Sequence, residues 1–83
     1  MIEVRLFGGF RQFVDQPQVS VGVASDARVG DLRRAVEAHF DSSTNAGMLV
    51  RASAFATDKR ILDDGEPVPF DAELSLLPPV SGG

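Results

Sequence analysis

Val29-Gly30-Asp31-Leu32-Arg33-Arg34-Ala35-Val36-Glu37-Ala38-His39-Phe40 is the stretch in which the hydrophobic period of the chain changes. Val29, Leu32, Val36 and Phe40 recur at spacings of three and four, with Ala35 beside the same stripe, as on the apolar face of a helix of about three turns. Asp31 stands in the first turn, where a negative charge suits the helix dipole, while Arg28 is a poor N-cap and leaves the start loosely marked. Asp41-Ser42-Ser43-Thr44-Asn45 ends the pattern in a polar loop.

Upstream of the helix the period is two. Ile2, Val4 and Leu6 alternate with Glu3 and Arg5, so residues 2–7 read as a half-buried strand with Phe7 on the polar face. Gly8-Gly9 breaks it, and Val19, Val21 and Val23 then share one face of a second strand. The opening is a hairpin with a long connection, residues 8–17. Downstream, residues 48–56 read as a strand, residues 60–62 as a short one, and Asp63-Asp64-Gly65 as a turn. Pro67 and Pro69 hold a connecting segment out of regular structure. Alternation resumes over residues 73–77, with Leu74 and Leu76 on one face and Leu77 on the other.

A lone amphipathic helix must bury its stripe against a sheet, so the order hairpin, helix, strand, short strand, strand predicts an α+β fold. The expected architecture is a mixed sheet with one main helix across one face. A crossover that returns the chain to the sheet centre sets the last strand beside the first. Phe7 and Leu77 are then neighbours on the uncovered face, either as a docking surface or as ordinary apolar surface.

At 83 residues the chain has room for one core, and 43% hydrophobic with 24% charged residues is the composition of a soluble globular domain. Cysteine is absent, which excludes disulfides, thiolate metal sites and a cysteine nucleophile, and the single histidine, His39, makes a zinc site unattainable by ordinary ligand sets. No metal is assigned. A net charge of −4 disfavours nucleic acid and points to basic protein surfaces as partners. No signal segment or apolar run of membrane-spanning length is present, so the expected location is the cytoplasm.

Three other constellations carry little. Asp63-Asp64-Gly65-Glu66 lacks the alternating ligands of a calcium loop, and the Ser, His and Asp residues come without a nucleophile elbow. Arg28, Arg33 and Arg34 form a basic cluster that either meets an acidic partner or is a solvated helix face.

The chain ends Pro78-Pro79-Val80-Ser81-Gly82-Gly83, and a Pro pair and a Gly pair at fixed places arise by composition about once in 10⁵ sequences. The prolines stop the strand and favour an extended course, so residues 1–77 form the domain and residues 78–83 a tail. Gly82 and Gly83 lack Cβ, which lets their backbone enter a narrow channel and bring a slim carboxylate into another protein's active site.

This ending, with Leu76-Leu77 before it, resembles that of the ThiS and MoaD type of sulfur carrier, most of all the small subunit of molybdopterin synthase. Residues 1–9 resemble that family's start, and Val29-Gly30-Asp31-Leu32-Arg33 its helix entry. The resemblance implies a ubiquitin-like β-grasp fold and a carrier without catalytic residues or bound cofactor of its own. An E1-like adenylating enzyme would consume ATP to activate the Gly83 carboxylate, and a sulfur donor protein would convert it to a thiocarboxylate. A large synthase subunit, or another acceptor, would take the sulfur. Phe7, Leu77, Pro78, Pro79, Val80 and Ser81 would meet partners, with Gly82 and Gly83 at the reacting end. Carriers for thiamine, cysteine or secondary-metabolite routes, and ubiquitin-like modifiers that join Gly83 to lysines, share the pattern. Residues 55–72 depart from it, lacking the usual Asn-Gly turn, and Asp71-Ala72-Glu73 replaces a Gly-Asp-Glu turn.

Overall fold

A computed structural model describes residues 1–40 and 45–79 of the chain. The elements are β1 (Ile2–Leu6), a short 3₁₀ helix (Gly8–Gln12), β2 (Gln18–Val21), α1 (Val29–His39), α2 (Ala46–Ala52), β3 (Ala54–Ala56), β4 (Ile61–Leu62) and β5 (Leu74–Leu77). One five-stranded sheet has the order β2-β1-β5-β3-β4. Only β1 and β5 run parallel; the other pairs are antiparallel. The crossover from β2 through α1 and onward thus brings the last strand to the centre, as the sequence predicts.

Alternation decides which residues meet the helix. Ile2, Val4 and Leu6 of β1, Val19 and Val21 of β2, Leu74 and Leu76 of β5 and Phe55 of β3 are buried in one cluster with Val29, Leu32 and Val36 of α1. Each of these α1 residues is fully inaccessible, which confirms the stripe read at three and four spacing. Phe40, just past the end of α1, stacks on Phe10 with ring centroids 6.1 Å apart, and Phe10 is completely buried. The long connection between β1 and β2 is thereby a packed 3₁₀ helix rather than an open loop.

Residues 48–56 are not one strand. Ala46, Leu49 and Val50 lie at helical spacing and give α2 an apolar face, on which Ala46 and Val50 are fully buried. Alternate apolar residues from Met48 onward imitate a strand only when the pattern is read from Met48 instead of Ala46. Ser53 ends this helix by donating its hydroxyl to Leu49 O at 2.5 Å, and β3 starts at Ala54.

The start of α1 owes little to its N-cap side chain. The Arg28 N–H donates to the Asp31 carboxylate at 2.9 Å. The first helical N–H groups find tertiary acceptors, Val29 at Glu66 O (2.8 Å) and Gly30 at Asp64 O (2.9 Å). Residues 63–67 thus form a cradle for the helix end, and an Arg28–Pro67 bridge extends it.

Arg33 completes that cradle. Its guanidinium donates to both Asp64 carboxylate oxygens, the closest contact being 2.7 Å, and to the carbonyls of Val50 (2.7 Å) and Ser53 (2.5 Å) at the C-terminal end of α2. Its Cζ also lies 5.2 Å from the centroid of the Phe55 ring. With 14% of its side chain exposed, Arg33 is a structural clamp, neither a solvated helix residue nor a free cation for an acidic partner. Arg34 pairs with Asp31, and Arg28 donates to Gly65 O at 2.9 Å.

Replacing Arg33 with Ala is expected to lower stability by about 2–3 kcal/mol, because the helix-end carbonyls and Asp64 lose a charged donor together. Arg33→Lys should recover less than half of that loss, since an ammonium cannot reproduce the fork. Urea titration of the three proteins checks both outcomes.

Hydrogen bonds from Arg33 hold the Asp64 carboxyl below the usual carboxylate range, and Arg60 does the same for Glu66. The Arg28 N–H, helped by Arg34, lowers Asp31. Folded-state values depressed below the unfolded ones stabilise the fold at neutral pH, and that stabilisation is lost as pH falls through the carboxylate range. Denaturation free energies measured from neutral pH down to about pH 3 should therefore decline, and Asp64→Asn should flatten the decline.

Candidate functional site

The sequence places the candidate site at the chain's end and at the strand ends next to it. β1 and β5 pair in parallel with Leu6 opposite Leu76, and Phe7 keeps an extended backbone, φ −124° and ψ 163°. Continuing the register by one residue sets Phe7 level with Leu77. Both are exposed, Phe7 at 44% and Leu77 at 37%, on the face of the sheet away from α1. The two residues expected to be neighbours thus stand at adjoining strand ends, both exposed.

The apolar surface extends beyond them. Leu77 pairs with Ala54, and one strand further out Ile61 is 64% exposed opposite Ala56. Ile61 was not singled out from the sequence, because a two-residue strand is too short to reveal which side it presents. On the other side of Phe7 a shallow depression is lined by Arg5, Leu6, Arg11, Pro17 and Gln18. Arg5 lies 3.9 Å from Glu73 across an exposed, weak pair. Arg11 makes no ion pair among the described residues, so cationic groups flank the aromatic ring.

Pro78 and Pro79 follow β5 directly. Pro78 is half-buried and Pro79 exposed. Pro78 lies against Gly8, a contact that the strand break at Gly8-Gly9 does not reveal in the sequence. Val80, Ser81, Gly82 and Gly83 fall outside the described residues.

Elsewhere the candidates set aside stay apart. His39 is exposed at the end of α1 and meets only Phe40 edge-on at 5.6 Å among the described ring contacts. No group of three or more His, Cys, Asp or Glu side chains converges on a metal position among the described residues. No helix there is long and apolar enough to cross a membrane. Asp63, Asp64 and Glu66 are engaged as the helix cradle: the Glu66 carboxylate accepts from the Asp63 N–H at 2.6 Å and pairs with Arg60 at 2.6 Å.

The profile described as the ThiS family matches residues 4–83 of this chain, which folds as a mixed sheet with a central parallel pair and two α-helices. The chain belongs to the ThiS family. Small archaeal modifier protein 3 of Haloferax volcanii is 34% identical over 92 aligned positions, covering 99% of this chain and 98% of that protein. Among solved structures, SAMP1 of Haloferax volcanii superposes with a TM-score of 0.72 at 30% identity, covering 99% and 98% of the two chains. The complex of subunits 1 and 2 of molybdopterin-converting factor from Helicobacter pylori contains a chain with a TM-score of 0.62 at 26% identity, with 99% and 97% covered. The architecture is thus the ubiquitin-like β-grasp, and this ThiS-family protein stands among sulfur carriers and ubiquitin-like modifiers.

Because Phe7 and Leu77 lie on the surface, Phe7→Ser and Leu77→Ser should each change stability by less than about 1 kcal/mol, whereas the same change at buried Leu76 should cost more than about 3 kcal/mol. Thermal and urea unfolding of the three variants separates a surface kept for contact from one that holds the fold.

Proposed function

We propose that this ThiS-family chain carries sulfur on its own C-terminus, and that the Gly83 carboxylate is the reacting group. The observation that supports the reading best is the match of the ThiS profile through residue 83, on a body whose last central strand leads straight into Pro78-Pro79. A carboxylate is a poor electrophile. One of its oxygens attacks the α-phosphorus of ATP within an E1-like adenylating enzyme, pyrophosphate leaves, and an acyl-adenylate results. A sulfide-level nucleophile from a sulfur donor protein then adds to the carbonyl carbon, AMP departs, and a thiocarboxylate remains on Gly83.

In this scheme the chain supplies docking and delivery, and the partners supply the chemistry. Phe7 and Leu77, flanked by Arg5 and Arg11, are the docking face; residues 78–83 are the delivery arm; Gly82 gives the carboxylate room to enter a narrow site. The acceptor we favour is the large subunit of a molybdopterin synthase, since a subunit of molybdopterin-converting factor shares the fold along nearly the whole chain. ATP is consumed by the adenylating partner, and the chain itself holds no cofactor.

A second reading, isopeptide attachment of Gly83 to lysines of target proteins, is favoured by the similarity to small archaeal modifier protein 3. The acyl-adenylate is common to both, with a lysine amine displacing AMP in place of sulfur. Lys59 is the chain's only lysine, so Lys59→Arg yields a lysine-free chain whose amide adducts at side chains must lie on other proteins.

Intact-mass spectrometry after incubation with an adenylating enzyme, ATP and a sulfur donor should show one oxygen replaced by sulfur at Gly83. Deleting Gly83, or Gly82→Val, should abolish the product while leaving the unfolding midpoint unchanged. Thiocarboxylation that persisted without Gly83 would refute the carrier reading; lysine adducts of the Lys59→Arg chain, without thiocarboxylate, would establish the modifier reading instead.

A further inference from the structure

Gly8 and Pro78 lie far apart in sequence and meet where the chain leaves the sheet. Gly8 is the one described residue with a positive φ, +61°. That alone does not demand glycine, because Asn and Asp tolerate the left-handed region. Space does: a Cβ on Gly8 would stand 2.7 Å from Pro78 Cγ. The neighbouring glycine differs, since a Cβ on Gly9 would sit 3.5 Å from Leu49 Cδ2, an ordinary contact, and one on Gly65 would meet nothing within 4 Å. The missing side chain is therefore needed at the one turn glycine over which the proline ring lies.

Both sides of this contact are anchored. Phe10 is fully buried and stacked on Phe40, and Phe13 N–H donates to Phe10 O at 2.9 Å, so the 3₁₀ helix that carries Gly8 is pinned to the core. Leu76, two residues before Pro78, is paired with Leu6 on one side and Phe55 on the other. The proline ring fixes its own φ, which leaves few backbone directions after β5 once the ring is seated.

We propose that Gly8 is a positioning residue for the tail: its bare Cα forms a slot for the Pro78 ring, and that contact sets the direction in which the chain leaves the sheet towards Gly83. The proposal rests on Gly83 being the group that is adenylated. Docking through Phe7 and Leu77 fixes the body on the partner, and the seated proline aims the arm. Without the seat the body still docks, but the carboxylate reaches the α-phosphorus of ATP in a smaller share of encounters.

Steady-state adenylation by the E1-like partner, read as ATP-dependent pyrophosphate release with the chain as varied substrate, tests this. Gly8→Asn keeps a residue suited to positive φ while filling the slot. It should lower kcat about tenfold or more with KM within about twofold, because the docking face is untouched. Gly9→Ala should react like wild type. Pro78→Ala should also lower kcat, and Gly8→Asn with Pro78→Ala should be no slower than Gly8→Asn alone, since both remove one shared contact.

A merely structural role gives a different signature: fewer folded molecules raise apparent KM and leave kcat intact at saturation. Wild-type kcat in Gly8→Asn, a change confined to KM, or effects of the two substitutions that multiply would each overturn the proposal. If no competent adenylating enzyme activates the wild-type chain, the Gly83 reading fails and takes the proposal with it. Equal turnover of wild type and Gly8→Asn overturns the positioning role alone.

Discussion

Arg33 is the side chain on which the packing of this domain turns. A short helix leaves its last carbonyls without intrahelical partners, and α2 is only seven residues long. Its end lies inside the domain, where water cannot easily serve those carbonyls. One guanidinium from α1 supplies donors to Val50 and Ser53 O, and its remaining N–H groups grip Asp64 in the turn that receives the N-terminal end of α1. The same group lies over the Phe55 ring, so three segments distant in sequence are held by one planar cation. Its charge is tolerable because Asp64 offsets it and the carbonyls solvate it.

With that corner fixed, the sheet order decides which chain segments meet at the ends of β1 and β5. Putting β5 in the centre beside β1 means that the chain's last strand ends level with the end of its first. The segment after β1 and the segment after β5 must then share one small region. Gly8 and Pro78 are how they share it, and Phe7 and Leu77 are what that region exposes. The exposed Phe7 and Leu77 and the point where the chain leaves β5 are adjacent because of strand order, and nothing in either segment alone would bring them together.

What was legible in the sequence follows the range of the interactions. The α1 stripe and the alternation of β1 are local, so Val29, Leu32 and Val36 could be assigned to the core from spacing alone. Placing Phe7 and Leu77 at adjoining strand ends needs one topological rule in addition. α2 as a whole reads as a strand in the sequence because residues 48–56 are nearly all apolar, and such a run fits a strand or a helix until Ala46 is included. Arg33 could not be read as a clamp, since its partners at 50, 53 and 64 are brought to it only by the fold. The slot at Gly8 was equally hidden: a turn glycine looks the same whether its Cβ position is open, as at Gly65, or filled by Pro78. The tail was conspicuous for the opposite reason, because Pro-Pro and Gly-Gly serve no packing pattern.

Displaced protonation equilibria are a common guide to active sites, because burial and charge are arranged there to tune acids and bases. In this protein the guide leads elsewhere. Of the groups shifted from their ordinary values, Asp31 belongs to the first turn of α1, Asp64 and Glu66 to the connection that cradles it, and Arg60, just before β4, is paired with Glu66. Their partners are one another, Arg33, Arg34 and the backbone, so their shifts record ion pairing that stabilises the fold. None stands on the strand ends next to Pro78. An enzyme that ran its own acyl chemistry would need a base or an oxyanion donor at the reacting carbon. A carrier has the reverse requirement: its reacting end must be bare enough to enter a site built by another protein, and its body must keep that end pointed outward. The tuned charges of this protein are engaged in holding the start of α1 and the end of α2: Arg33, which grips Asp64, also reaches Ser53 O, one residue before the Ala54 that pairs with Leu77.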